Sequence, residues 1–224
     1  MKLKRIPSGI PGLDKLIEGG FIENSVTLIT GATGTGKTIF CSQFLWHGLK
    51  MREPCIYLSL EEEPDEIKKD MLHFGWDFEK FEKKGIFKIM FFEPIEMTDF
   101  SSILLEQIKQ INAKRLVIDP VSIFGLYIKD IATVRKKLYR IINSIKNAKC
   151  TTLMTSEILE DSKALSRFGV EEFVVDGVIV LNYFGLGEEF NRSLQIRKMR
   201  RTDHGKDVYP FEITKKGIVV KKML

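Results

Sequence analysis

The residues best suited to chemistry form a glycine-rich stretch at positions 31–38, with the sequence GATGTGKT. It fits the pattern G-x-x-x-x-G-K-[ST], in which the glycines let successive backbone N–H groups turn inward around a phosphate chain. Lys37 can reach the outer phosphates of such a chain, and the Thr38 hydroxyl can coordinate Mg²⁺. A plain glycine-rich turn is the alternative. The stretch predicts a nucleotide-binding phosphate loop.

The segments on either side of this stretch match the strand and the helix that a phosphate loop needs. Residues 26–30 are apolar and β-branched, and residues 39–45 are compatible with a helix. The first N–H groups and the dipole of a helix that starts here also favour an anion. The order of strand, loop and helix therefore supports the nucleotide-binding interpretation.

Acidic residues follow two other apolar runs. Residues 115–118 lead into Asp119, and a buried strand that ends in an aspartate is typical of the Walker B element, which binds Mg²⁺. Residues 55–60 lead into the acidic run 61–66. That run also suits the start of a helix, because Pro64 fits a first turn and carboxylates favour the dipole.

Length and composition restrict the class of protein. A chain of 224 residues with 44% hydrophobic residues can form one large α/β domain or two small ones. Each of the three cysteines, at 41, 55 and 150, lies in an apolar segment, so we expect buried thiols rather than a disulfide framework. We find neither a membrane-spanning apolar run nor a signal-peptide core after the basic start, so we expect a cytoplasmic protein with no membrane partner.

The net charge of +5 favours a polyanion partner only where it is concentrated. Basic clusters occur around positions 2–5, 135–140, 197–201 and 215–222. Each of them could equally be the solvated face of a helix or strand.

Hydrophobic periodicity predicts a mostly parallel sheet flanked by helices, with antiparallel strands at the C-terminal edge. We expect helices near 39–45, 65–74, 101–111 and 131–146, and a turn at Gly185 and Gly187. The expected strands lie at 26–30, 55–60, 86–92, 115–119, 151–157, 178–183, 193–199, 208–213 and 217–221. The first five alternate with helices, whereas the last four are closely spaced.

From about Ser8 to Thr214 the chain resembles the KaiC-like branch of the RecA superfamily of ATPases. Beside GATGTGKT, the matching motifs are SGIPGLDKLIEGG, YLSLEEE, RLVIDPVS, TTLMTSE, RFGVEEFVVDGVIVL and QIRKMRRTDHG. Several spaced motifs in one order are more specific than the phosphate loop alone. The resemblance implies an α/β RecA-like P-loop NTPase core in a single domain, 1–224, with an N-terminal segment 1–25, a nucleotide-binding core 26–183 and edge strands 184–224.

The resemblance also implies roles for individual residues near the phosphate loop. Asp119 corresponds to the Walker B acid and would bind Mg²⁺ together with Thr38. Glu61 and Glu62 correspond to paired glutamates that polarise the attacking water, a role that suits phosphoryl transfer because one oriented carboxylate is sufficient. The positions that would hold the ATP phosphates are Gly34, Thr35, Gly36, Lys37, Thr38 and Ile39.

A second set of residues corresponds to family positions that reach a neighbouring subunit. Lys198 and Arg200 correspond to basic residues that contact the neighbour's γ-phosphate, and their i, i+2 spacing on a strand places them on one face. Positions that would contact the base and ribose are Met199, Thr202 and His204. His73 falls near the adenine position. The alternatives are a solvated edge strand for the late residues and an ordinary surface histidine for His73.

These expectations predict an enzyme, a Mg²⁺-dependent P-loop ATPase that hydrolyses ATP at the subunit interfaces of a homo-oligomeric ring, most simply a hexamer, with a regulatory role toward an unknown protein client. A recombinase-like nucleic-acid motor is one alternative. It is not favoured, because residues 157–172 carry five acids and two bases, whereas phosphate contacts need cations.

Two further alternatives concern the use of ATP. A kinase like the phosphorylating domain of this family needs hydroxyls before the last strands, but positions 172 and 173 are Glu and Phe, so autokinase activity is not expected. A nucleotide-gated binding module that turns over too slowly to be an enzyme stays open.

Overall fold

The structure is a computed structural model that describes residues 3–93, 99–160, 162–184 and 192–221. The turn expected at Gly185 and Gly187 lies outside these ranges. The strands are β1 (Arg5–Ile6), β2 (Phe21–Ile22), β3 (Val26–Gly31), β4 (Cys55–Ser59), β5 (Phe87–Phe91), β6 (Arg115–Asp119), β7 (Thr151–Glu157), β8 (Gly177–Tyr183), β9 (Arg192–Met199), β10 (Val208–Thr214) and β11 (Gly217–Val220).

The helices between these strands include the four predicted by the periodicity and several short ones. They are α1 (Leu13–Leu16), α2 (Lys37–Lys50), α3 (Pro64–Leu72), α4 (Glu79–Glu82), α5 (Phe100–Ile111), α6 (Phe124–Tyr127), α7 (Ile131–Asn147) and α8 (Glu171–Val174). A 3-10 turn, Val121–Ile123, precedes α6. No helix in the described ranges is both long and apolar enough to cross a membrane.

The central sheet has nine strands in the order β11-β10-β9-β8-β3-β7-β6-β4-β5. Strands β8, β3, β7, β6, β4 and β5 pair in parallel, whereas β9, β10 and β11 pair antiparallel at one side. The predicted fold class is confirmed. Because the carboxyl ends of parallel strands share one edge of a sheet, the residues that follow β3, β4, β6 and β7 meet there.

Alternate residues of the buried strands pack on opposite faces of the sheet, as the two-residue period of a strand requires. Ile29 and Val117 pack with Phe44 of α2 on one face. Leu28 and Leu116 lie in the second cluster, with the apolar sides of α5 and α7. The three cysteines are buried free thiols, which confirms the expectation of burial.

Strand β9, which contains Lys198 and ends just before Arg200, belongs to the group of antiparallel strands that we expected at one edge of the sheet. It lies between β8 and β10, and the outermost strand on that side is β11. Within the described residues, however, β10 pairs with β9 only at residues 193–195. The half of β9 that leads to Lys198 therefore has no strand partner on its β10 side within the described residues.

Candidate functional site at the carboxyl edge of the sheet

The phosphate loop lies between β3 and α2, as the sequence predicts. Gly34 and Gly36 adopt φ angles of +70° and +99°, which favour glycine because other side chains clash there. Gly31 has a different reason to be glycine, since a Cβ at this position would come 2.4 Å from the Leu181 carbonyl oxygen. Lys37 is the first residue of α2, so the loop ends at a helix N-terminus. The backbone N–H groups and the dipole of this helix N-terminus favour an anion.

Lys37 extends back over this loop. Its ammonium donates hydrogen bonds to the carbonyl oxygens of Gly31 and Ala32 at 3.0 and 2.9 Å. Burial lowers the pKa of Lys37, while the nearby charges of Asp119 and Glu157 oppose that shift. A partly buried ammonium can make a strong, charge-assisted hydrogen bond to a phosphate oxygen.

Asp119 is held by three hydroxyl groups at the end of β6. The Thr38 hydroxyl donates to it at 3.0 Å and the Tyr57 hydroxyl at 2.5 Å. Thr155, on the neighbouring strand β7, donates to its other oxygen. Burial raises the pKa of Tyr57 well above its ordinary value, so the phenol keeps the proton that it donates. The Thr38 hydroxyl and Asp119 carboxylate together provide the oxygen donors that Mg²⁺ prefers.

Glu61 and Glu62 follow β4, and Ser59 holds their loop. The Ser59 hydroxyl donates to the Glu62 carbonyl at 2.5 Å and accepts from the Glu62 backbone N–H at 3.0 Å. Burial raises the pKa of both glutamates, and the negative charge of Glu157 adds to the shift of Glu61 while that of Asp119 adds to the shift of Glu62. The loop thus presents two partly shielded carboxylates to the same space as Asp119.

These groups line one cavity of about 340 Å³. The predicted residues that line it are Gly34, Gly36, Lys37, Thr38, Ile39, Glu61, Glu62 and Asp119. Thr35 is buried instead, and its hydroxyl donates to the Ala32 carbonyl at 2.8 Å, so its side chain stabilises the loop.

The sequence interpretation missed five residues of this site. Tyr57 and Thr155 position Asp119, and Ser59 positions the glutamates. Glu157 and Arg192 line the cavity itself. The first four lie at the carboxyl ends of parallel strands or within them, so the topology could have identified them. Arg192 offered no such signal, because it comes from the antiparallel part of the sheet.

The second predicted set lies outside this cavity. Lys198 donates from its ammonium to the carbonyls of Glu172 and Val175 at 2.9 and 2.7 Å, and burial lowers its pKa. Arg200 is exposed and lines a different cavity, of about 520 Å³, beside α7 and α8. Neither cation reaches the phosphate loop of its own chain.

The other predicted nucleotide contacts are also separate from the phosphate cavity. Met199 is buried, and Thr202 accepts a hydrogen bond from Arg5 at 3.1 Å. His204 contacts the Gly205 carbonyl through Nδ1 at 2.8 Å. His73 directly follows α3, and its Nδ1 lies 3.1 Å from the Lys69 carbonyl oxygen. Within one chain, these four side chains do not converge on the phosphate loop.

The model of the KaiC ATPase family matches residues 6–224, which include the phosphate loop, Asp119 and the late cations. The chain belongs to the KaiC family of ATPases. This membership confirms the predicted family and places the chain among P-loop ATPases at the level of the family.

Similar proteins cover almost the whole chain. A UPF0273 protein of Pyrococcus horikoshii is 38% identical, over 97% of this chain and 94% of its own. The circadian clock protein KaiC3 of Synechocystis is 34% identical over 97% of this chain but only 46% of its own length. The crystal structure of a KaiC-like protein from P. horikoshii has a TM-score of 0.89 and 42% identity, and the match covers 99% of this chain and 100% of that one.

Proposed function

We propose that this KaiC-family chain is a Mg²⁺-dependent ATPase that hydrolyses ATP at the subunit interfaces of a homo-oligomeric ring, most simply a hexamer. The observation that carries the proposal is the contact of the Thr38 hydroxyl with Asp119, at 3.0 Å in the cavity of the phosphate loop. It brings together the two oxygen donors that a Mg²⁺-nucleotide needs, from helix α2 and strand β6.

The groups in the cavity fit a nucleotide triphosphate. The loop offers backbone N–H groups at glycines 34 and 36, and Lys37 supplies a cation beside them. Bound Mg²⁺ would neutralise part of the charge that develops on the phosphates. Thr38 and Asp119 would hold it, while Tyr57 and Thr155 keep the Asp119 carboxylate in place.

Glu61 and Glu62 supply the group that orients water. Phosphoryl transfer requires an in-line nucleophile and little covalent chemistry, so a positioned carboxylate is sufficient. Ser59 fixes the loop that carries both glutamates, and both face the cavity. We assign them the role of holding the attacking water through hydrogen bonds to their carboxylates.

The proposal of a ring rests on two cations that do not reach the phosphate loop of their own chain. Lys198 and Arg200 are cations without access to their own phosphate loop, and Arg200 is exposed at the end of β9. A cation supplied by a neighbour can stabilise the charge of the transition state. We therefore assign both residues to the neighbour's terminal phosphate, with Met199, Thr202 and His204 beside the base and ribose. His73 is assigned to the adenine side.

The biological role that suits this arrangement is regulatory. Hydrolysis of ATP at the interfaces would change the shape of such a ring, and the change could be transmitted to a protein client in the cytoplasm.

The test of the proposed activity is phosphate release with and without Mg²⁺. Wild-type protein should release phosphate from ATP only with the metal, and Asp119→Asn should reduce the rate by about 100-fold or more, because loss of an outer-shell partner alone costs about 10- to 100-fold. Asp207→Asn, at an exposed position before β10, is the matched control and should keep the wild-type rate. Metal-independent turnover, or full activity of Asp119→Asn, would contradict the proposal.

A further inference from the structure

Glu171 is a buried carboxylate to which the proposed function gives no role. It is the first residue of α8, and only 1% of it is exposed. Among the residues that the structure describes, it takes part in no ion pair. Burial of a carboxylate without a cation is costly unless hydrogen bonds compensate for the lost water. The contacts of this carboxylate therefore indicate what it is there to hold.

Three donors surround the Glu171 carboxylate. The Ser156 hydroxyl donates to Oε1 at 3.1 Å. The Ser166 hydroxyl and the Val170 backbone N–H donate to Oε2 at 2.7 and 3.1 Å. Both serines are buried, and hydrogen bonds to an ionised acceptor are stronger than those between neutral groups. Glu171 thus ties the beginning of α8 to strand β7 and to the segment that joins them.

Strand β7 is a firm anchor for this tie. It lies inside the sheet, where it pairs with β3 on one side and β6 on the other. Its last residue, Glu157, directly follows Ser156, pairs with Gly31 at the start of the phosphate loop and lines the phosphate cavity. The Ser156 hydroxyl therefore connects α8 to the same strands that hold the phosphate loop.

Helix α8 in turn holds the end of β9. The Lys198 ammonium donates to the carbonyl oxygens of Glu172, within α8, and Val175, directly after it, at 2.9 and 2.7 Å. The Arg200 backbone N–H donates to the Asp176 carbonyl oxygen at 2.9 Å. A helix of one turn is not stable by itself, so its place depends on anchors such as these. The position of both late cations thus depends on where α8 lies.

We propose that Glu171 is the positioning residue for Lys198 and Arg200. Through α8 it fixes the direction in which these cations leave their own chain, and with it the contribution that one subunit makes to its neighbour's site. Glu171 lines neither the phosphate cavity nor the cavity of Arg200, so it acts through α8 and not on the nucleotide. This inference rests on the proposed function, in which the late cations serve a neighbouring subunit.

The first test separates binding from turnover. Glu171→Gln keeps the volume of the side chain but removes the charge that strengthens its three hydrogen bonds. Turnover should fall by about 10- to 100-fold, since misplacement of a catalytic group by about 1 Å can cost about 100-fold. Calorimetry should show affinity for a non-hydrolysable ATP analogue within about threefold of wild type. Glu160→Gln, an exposed carboxylate between β7 and α8, is the matched control and should keep the wild-type rate.

Mixing of subunits distinguishes positioning from a general loss of structure. Glu171→Gln protein keeps its phosphate cavity, so exchange with Glu61→Gln/Glu62→Gln protein, which has intact late cations, should restore part of the wild-type turnover. Exchange with Arg200→Ala protein should restore none, because neither chain then supplies positioned cations.

The outcomes separate this inference from the proposed function. Recovery with Arg200→Ala protein, a parallel loss of analogue affinity and turnover, or full turnover of Glu171→Gln would overturn the role of Glu171. An inactive wild-type protein, or full activity of Arg200→Ala, would instead overturn the proposed function.

Ser156→Ala tests the tie from its other end and keeps the carboxylate. It removes one of three donors, so turnover should fall by less than in Glu171→Gln. The double variant should lose no more than Glu171→Gln alone, because changes at the two ends of one contact are not additive. Independent, additive losses would overturn the inference. If thermal unfolding shows that Glu171→Gln does not fold, Ser156→Ala mixed with the same two partners gives the same test.

Discussion

The phosphate cavity and the C-terminal end of β9 contain the two groups of charged residues that the sequence singled out, and the fold treats them differently. In the cavity, Lys37, Asp119 and Glu61 come from three separate segments and line one space. At the end of β9, Lys198 is bonded to carbonyls of its own chain and Arg200 is exposed. A single chain thus gathers the first group in one cavity and leaves the second group away from it.

The largest effect should come from Lys37, which belongs to the assembled region. Lys37→Ala removes the cation that the loop amides cannot replace, so affinity for ATP should fall by more than about 100-fold. Calorimetry measures the affinity, and Lys50→Ala, at the other end of α2, is the control. Undiminished ATP affinity would show that the cavity is not the nucleotide site.

The next effect separates the two regions. Arg200→Ala should leave ATP affinity within about threefold of wild type but reduce turnover by about 10³-fold or more, as for other cations supplied in trans. Steady-state phosphate release and calorimetry measure the two quantities, with Arg197→Ala as control. If binding and turnover fell together, Arg200 would belong to the folding of its own chain.

A further change in the cavity should reduce activity while stabilising the fold. The double change Glu61→Gln with Glu62→Gln should keep ATP binding and lower turnover by about 100-fold, because an amide does not orient water as a carboxylate does. Glu63→Gln, at the exposed N-cap of α3, is the control. Wild-type turnover in the double variant would show that these acids only begin a helix.

The expected gain in stability of the double variant follows from the direction of the pKa shifts. Burial raises the pKa of Glu61 and Glu62 above the ordinary 4.5. The folded state therefore binds more protons than the unfolded state just above that pH, and stability falls as pH rises through this window. Glutamine lacks this penalty, but both side chains are largely exposed and solvent screens the effect, so Tm at neutral pH should rise by about 1 °C. A lower Tm in differential scanning calorimetry would contradict the shift.

The smallest effect is the pH dependence of turnover. Because both pKa values are raised, Glu61 and Glu62 become fully ionised only at a higher pH than a free glutamate does. Turnover should therefore increase with pH through this acid range and then level off. A rate that stays constant down to pH 4.5, measured with folded protein, would exclude an essential role for either carboxylate.

Local sequence patterns predicted the assembled region well, for a physical reason. A phosphate loop and a strand that ends in an aspartate are contiguous motifs, and parallel pairing brings their ends to one edge of the sheet. The residues that position Asp119 were harder to predict from the sequence. Tyr57 and Thr155 become its neighbours only through the pairing of β4 and β7 with β6. Their sequence context shows only buried strands.

The antiparallel region was less predictable. The sequence predicted a group of antiparallel strands at this edge but not their order, because the place of a strand within a sheet depends on pairing that local periodicity does not contain. Arg192 was missed for the same reason. Its contact with Gly34 spans 158 residues of sequence, and only the antiparallel pairing of β8 and β9 places it beside Tyr183.

The central claim is that two chains complete one catalytic site, and mixing two inactive variants tests it most directly. One variant carries Arg200→Ala, and the other carries Glu61→Gln with Glu62→Gln. After subunit exchange, some interfaces should pair an intact phosphate-loop face with an intact Arg200, so ATP turnover should return to part of the wild-type rate. No recovery despite exchange confirmed by labelled subunits, or full activity of a wild-type monomer, would contradict the shared site.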